Sequence, residues 1–224
     1  MLKAKKKYTK RELKQDQFVL ATMKAKSFLE DHSRQLVYGV LGVIAAAALV
    51  WFYLNSQKSA QKEALSLLST GQEQIRNGDK ENGMATFTEI VERYNGTHAA
   101  GEAAFFLAKF YWEDNDFTQA KKYFKAVTDG YAGKNIMTQA AYAGYADCLM
   151  GEKNYAEAAK NYEKAATIDP MFPMAADYFY SAAQAYREAG NLQKAKELSD
   201  KVIKDYNNPA LKNRAEVLLQ SLEL

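Results

Sequence analysis

Cysteine is almost absent from this 224-residue chain: Cys148 is the only one. That excludes an intramolecular disulfide and any cysteine metal cluster. It leaves the compartment open, because oxidising spaces permit disulfides without requiring them. Proline is nearly as scarce, with Pro170, Pro173 and Pro209 alone. So few breakers among abundant Ala, Lys, Glu, Leu and Gln favour helix throughout. Histidine is limited to His32 and His98. Glycine-rich phosphate loops, zinc-ligand spacings and nucleophile elbows are missing from the sequence. The reading is therefore of a protein that is not an enzyme and needs no cofactor or metal. Cys148 lies among apolar neighbours and is expected to be a small buried hydrophobe rather than a reactive thiol.

What is present is uneven. Hydrophobic residues at 48% and charged residues at 25% are globular values, not disordered ones. Residues 1–34, however, hold ten Lys and Arg against four acidic residues, a net +6, which leaves the remaining 190 residues at −3. A basic tail ahead of a mildly acidic body fits either nucleic acid or an anionic membrane surface. The next segment decides between them. Residues 36–54 are nineteen consecutive uncharged residues ending in Trp51, Phe52, Tyr53 and Leu54. At the helical rise they span about 28 Å, close to the hydrocarbon thickness of a bilayer. Tyr38 near one end and Trp51 and Tyr53 at the other suit the two interfaces. The run is too long, and ends too bulkily, for a cleaved signal peptide.

The sequence therefore predicts a basic cytoplasmic tail over 1–34, a transmembrane helix over 35–55 and an extracytoplasmic domain over 56–224. Orientation follows from Lys and Arg counts: ten before the span and, in the fifteen residues after it, only Lys58 and Lys62. Within the tail, 17–33 reads as a short amphipathic helix with Phe18, Ala21, Ala25, Phe28 and Leu29 on one face. It is either a helix on the inner leaflet or a plain lead-in to the span. Residues 1–10 are too lysine-rich to fold. Nucleic acid is not expected as a partner, since the domain is acidic and the tail has a simpler use at the membrane.

The domain repeats itself. Asp116-Phe117-Thr118-Gln119-Ala120, Asn154-Tyr155-Ala156-Glu157-Ala158 and Asn191-Leu192-Gln193-Lys194-Ala195 are three turn-then-helix starts whose alanines stand 38 and 37 residues apart. A weaker copy has Gly83 in the alanine place. Periods of this length mark helix-pair arrays. At the chain's end, Asn208 before Pro209 reads as an N-cap with proline at the first helical position. Leu211, Ala215, Leu218 and Leu222 then form the stripe of a helix capping the array.

These units resemble the tetratricopeptide-repeat (TPR) family over roughly residues 60–207. The family's first-helix and second-helix places hold Tyr142, Tyr145, Ala146, Leu149, Ala158, Tyr162, Ala165 and Pro170 in the third copy. The resemblance implies an all-α fold: one transmembrane helix, then a solenoid of about four helix-turn-helix repeats with a C-terminal capping helix. It also implies a concave protein-binding groove lined by Glu102, Phe105, Lys109 and Trp112 of the second repeat. Ala143, Asp147 and Met150 follow from the third, and Tyr180, Gln184 and Arg187 from the fourth. For Phe105 and Trp112, packing against a neighbouring helix is an equal alternative.

The whole-chain layout resembles the YfgM-type family of bacterial inner-membrane TPR proteins, ancillary subunits of the SecYEG translocon. Carrying that likeness are the lead-in Ala25-Lys26-Ser27-Phe28-Leu29-Glu30, the span ending Trp51-Phe52-Tyr53-Leu54-Asn55-Ser56, and Asn208-Pro209-Ala210-Leu211-Lys212. It implies a single-pass protein of the bacterial inner membrane with a periplasmic TPR domain. It further implies an adaptor or co-chaperone role beside the translocon, with translocon subunits and a periplasmic chaperone as partners and no small-molecule substrate. The alternative is an envelope-assembly scaffold for outer-membrane or cell-wall biogenesis.

Overall fold

A computed structural model describes residues 10–131 and 135–222. The expectation for the lysine-rich start thus falls almost wholly outside the described residues. Among the described residues there are ten helices and no strand. They divide into two compact units, Met1–Ser56 and Gln57–Leu224.

The first unit holds α1 (Lys10–Asp31) and the opening stretch of α2 (Ser33–Arg76). Polar and apolar residues are not segregated around α1 as a whole, so the short apolar face read over 17–33 does not extend through the element. Phe28 stacks on His32 with ring centroids 4.4 Å apart. By length and composition α2 can cross a bilayer, and no part of its apolar window is buried within the protein. The helix does not stop where the apolar run stops. It continues unbroken to Arg76, and its last turns belong to the second unit.

That unit is a stack of helix pairs. The end of α2 pairs with α3 (Lys80–Arg93), α4 (His98–Glu113) with α5 (Phe117–Gly130), α6 (Ile136–Gly151) with α7 (Tyr155–Ile168) and α8 (Ala175–Glu188) with α9 (Leu192–Asp205), before α10 (Pro209–Leu222). α3 meets the end of α2 through Phe87 against Gly71 and the Thr86–Gln74 hydrogen bond, and from α4 onward each helix packs on the one before it, with α4 also touching α6 and α8 touching α10. Neighbour-only packing is what defines a solenoid.

Each pair turns through one residue in the left-handed region. Gly78, Asn115, Lys153 and Gly190 have φ of 86°, 61°, 60° and 77°, at spacings of 37, 38 and 37 residues. The next residue caps the second helix. Asp79, Asp116 and Asn191 accept the backbone N–H three residues on, whereas Asn154 makes no such bond. An accepted N–H at this place stabilises a helix by about 1 kcal/mol.

The alanines singled out by the repeat, Ala120, Ala158 and Ala195, are completely buried. Gly83 is buried too, and a Cβ there would lie 2.5 Å from Ile75 Cδ1 and 3.1 Å from the Gly71 carbonyl oxygen. An alanine at this place would require Ile75 to shift. Phe87 and Ile90 fill the gap below, both essentially inaccessible. At the far end Leu211, Ala215 and Leu218 are buried against the last pair, so α10 is a cap, with Leu222 partly covered.

Candidate protein-binding groove

The groove is built on α4, whose start is fixed by Thr97 Oγ1 accepting the Ala100 N–H at 3.2 Å. Phe105, Lys109 and Trp112 follow at helical spacing and so share a face. Opposite them α6 presents Ala140, Ala143, Gly144 and Asp147. Small residues on α6 are what allow a cleft here. A Cβ on Gly144 would stand 2.5 Å from the Phe124 ring, which α5 projects into the wall. The remaining wall comes from Met174 and Tyr178 at the start of α8. The space enclosed is about 340 Å³ and opens to solvent. A neighbouring hollow of about 380 Å³ shares Phe105 and Ala140 and adds His98, Glu102, Phe106, Ile136 and Met137. The two run together along the inner face of α4 and α6.

Of the residues expected to line a groove, Phe105, Lys109, Trp112, Ala143 and Asp147 meet in the one cleft. Glu102 lies in the adjoining hollow, where its carboxylate is 2.9 Å from His98 Nδ1. Met150 packs against the C-terminal core and lines neither space. Gln184 and Arg187 are partly exposed on α8 but line neither space, and Arg187 is engaged with Glu188 at 2.7 Å. Tyr180 departs from expectation: it is buried at 7% exposure, and the Arg214 guanidinium of α10 lies 4.4 Å from its ring centroid. The capping helix occupies the place on α8 where a groove was expected.

Phe105 and Trp112 both pack on a neighbouring ring and also line the cleft. Phe105 meets Phe124 edge-on at 6.2 Å and Trp112 meets Phe117 at 4.8 Å, yet each keeps a face on the cleft. Sequence reasoning missed Phe124, Met174 and Tyr178. Met174 and Tyr178 are one helical turn apart, a spacing visible in the sequence. Their position depends on the 169–174 loop, where Asp169 Oδ1 accepts the Met171 N–H at 3.1 Å and the Asp169 carbonyl accepts from Phe172 at 3.1 Å.

Asp147 is the chemically distinctive group. Its surface is open to the cleft while protein encloses it on the other sides, and this enclosure pushes its carboxyl above the ordinary aspartate range. The Tyr162 hydroxyl donates to Asp147 Oδ1 and acts in the opposite direction. Burial, and then the Asp147 charge, raise the Tyr162 phenol in turn. Behind them Cys148 is 3% exposed, its thiol pushed up to about 12 by burial first and by Asp147 second. Among the described residues no cluster of His, Cys, Asp and Glu is arranged to hold a metal ion.

The family model for a tetratricopeptide repeat-like domain matches residues 26–172, and a second tetratricopeptide-repeat model matches 177–208. No curated protein matches the chain. Among solved structures, TPR-like repeats of a kinesin light chain from Podospora anserina align over 73% of this chain and 94% of theirs, at 15% identity and a TM-score of 0.50. MamA aligns over 68% and 91% at 17% identity and 0.48. The N-terminal domain of stress-induced protein-1 from C. elegans aligns over 54% and 95% at 19% identity and 0.47. At such identities the likeness is one of fold. Both matching family models are tetratricopeptide-repeat models and neither is of a catalytic family; the helix pairs, their period and a family model covering more than half the sequence agree: the chain belongs to the tetratricopeptide repeat-like domain family, whose arrays are protein-interaction modules.

Proposed function

We propose that this chain is a single-pass membrane protein whose repeat domain holds a polypeptide segment of a partner in the cleft between α4, α6 and α8. It acts as an adaptor or co-chaperone beside the protein-export translocon. The observation that carries the binding reading is convergence. Phe105 and Trp112 from α4, Asp147 from α6, and Met174 and Tyr178 at α8 meet on one solvent-open, largely apolar cleft. Aromatic and methionine side chains are the types enriched where proteins bind. The membrane reading is supported by the apolar run in α2 and by the basic residues ahead of it. These favour a cytoplasmic N-terminus and a periplasmic domain in a bacterial inner membrane. The translocon reading rests on the layout shared with YfgM-type proteins.

The test is to tag the C-terminus, cross-link briefly in vivo, solubilise in mild detergent and identify what co-purifies. A second sample carries a photo-cross-linking amino acid in place of Lys109, and a control carries residues 1–60 only. Translocon subunits enriched over the control, with adducts from position 109, are the expected result. Equal recovery with the control would move any contact to the tail or span. Recovery of outer-membrane or cell-wall assembly proteins alone would replace the translocon reading with that of an envelope scaffold.

A further inference from the structure

We infer that the cleft between α4, α6 and α8 receives a cationic side chain, arginine or lysine, from the bound segment, seated among the aromatic walls with its head group on the Asp147 carboxylate. This rests on the groove reading above and names what the groove selects.

Three observations lead there. First, among the described residues Asp147 is a carboxylate without a counter-ion. Its one hydrogen bond is the Tyr162 hydroxyl on Oδ1, and among the described residues no Lys, Arg or His nitrogen lies within 4.0 Å of it. The carboxylate is exposed on the cleft side and unpaired, so an arriving cation can form a charge-assisted hydrogen bond with it there. Glu113 adds a second carboxylate to the wall, against the single ammonium of Lys109. Second, the other walls are the rings of Phe105, Trp112, Phe124 and Tyr178. Aromatic faces beside a carboxylate are the chemistry that holds guanidinium and ammonium groups.

Third, the array already makes this contact once with its own chain. Tyr180 occupies on α8 the place that Phe105 occupies two repeats earlier on α4, and α10 lays Arg214 over its ring at 4.4 Å. A helix approaching the array thus presents an arginine to an aromatic at an equivalent place. At the α4–α6 level, among the described residues, no Arg or Lys is laid over Phe105 in this way, and the Asp147 carboxylate is exposed. Lys109 sits on a flexible stem in the same cleft and acts as a weak internal competitor.

The test uses the full chain in detergent with Trp51→Phe, which leaves Trp112 as the only tryptophan and hence a reporter inside the cleft. Four capped peptides of one apolar sequence, differing only in a central Arg, Lys, Leu or Glu, are titrated by tryptophan fluorescence and by calorimetry. The expected result is binding of the Arg and Lys peptides at least tenfold tighter than the Leu peptide. Asp147→Asn should bring that preference within about twofold, since Asn keeps the acceptor for Tyr162 and loses only the charge. Lys109→Gln should tighten the cationic peptides. Equal affinities across the four peptides, a preference for Glu, a preference that survives Asp147→Asn, or no binding by any of them would each overturn the anchor. Equal affinities would leave the groove reading standing, and that reading is judged separately by the adducts from position 109.

Discussion

The Tyr131 hydroxyl donates to Asn95 Oδ1 at 2.9 Å and accepts the Gly96 N–H at 3.3 Å, tying the end of the second helix pair to the loop that closes the first. Tyr206 does the same between the fourth pair and the third, donating to the Pro170 carbonyl at 3.0 Å. These tyrosines stand at the C-caps of α5 and α9, and their hydroxyls join loops of successive repeats. Tyr131→Phe keeps the ring and removes the link. Net loss for a hydrogen bond of this kind is about 1 kcal/mol. Urea unfolding of the variant should show that loss with an unchanged slope, and Tyr206→Phe should behave alike.

The four pair-closing turns place unequal residues in one conformation. Gly78 and Gly190 adopt a positive φ freely, whereas Lys153 adopts 60° against its own Cβ. Lys153→Gly should raise stability by about 0.5–1 kcal/mol, and Gly190→Ala should lower it by a similar amount. Thermal melts of both variants check the pair of signs together.

Asp147 carries a pH signature. Its carboxyl is raised in the folded chain by enclosure, so the folded state keeps a proton at pH values where the unfolded state has lost it. Stability contributed here is therefore lost as pH rises from the ordinary aspartate value through the raised one, and the ionised group weakens the fold at neutral pH. Asp147→Asn is expected to melt higher than the parent at pH 7. The advantage should shrink as pH falls through that window, where the parent's carboxyl becomes neutral as well. A melting difference independent of pH would contradict the enclosure argument.

Cys148 should resist modification. It is buried and its thiol is pushed up to about 12, so almost no thiolate is present at neutral pH. A maleimide or disulfide reagent is expected to label the native chain at the rate of local opening and to label it at once in urea. Fast labelling of native protein would mean that the α6–α7 packing is looser than described.

The repeat was legible because it is written in residues that do one job. Ala120, Ala158 and Ala195 are small where paired helices touch, and their spacing exposed the repeat, while Asn208-Pro209 and the Leu211, Ala215, Leu218 and Leu222 stripe marked the cap. Even the irregular Gly83 sits where the alanine was expected. The site was half legible. Phe105, Lys109, Trp112 and Asp147 project inward from regular helices, so helical spacing finds them. Tyr180 was misplaced because its environment is set by Arg214, on a helix more than thirty residues later in the chain. Met174 and Tyr178 were missed because they wall the cleft from the start of α8, whose position is fixed by loop bonds and not by periodicity. The extension of α2 to Arg76 was invisible to hydropathy, since its polar second half keeps helical propensity after the apolar run ends.

Neighbour-only packing has a consequence for how the domain opens. With no element closing the stack on itself, the inner helices have neighbours on both sides, whereas among the described residues α10 packs only on α8 and α9, on one side of it. Fraying should begin at α10, visible as the fastest amide exchange among the helices from α3 onward. When α10 lifts, Arg214 leaves Tyr180, and the inner surface of the array grows by one aromatic place. The C-terminal helix is in this sense a reversible plug, and the length of surface offered to a partner becomes a matter of population as well as of structure.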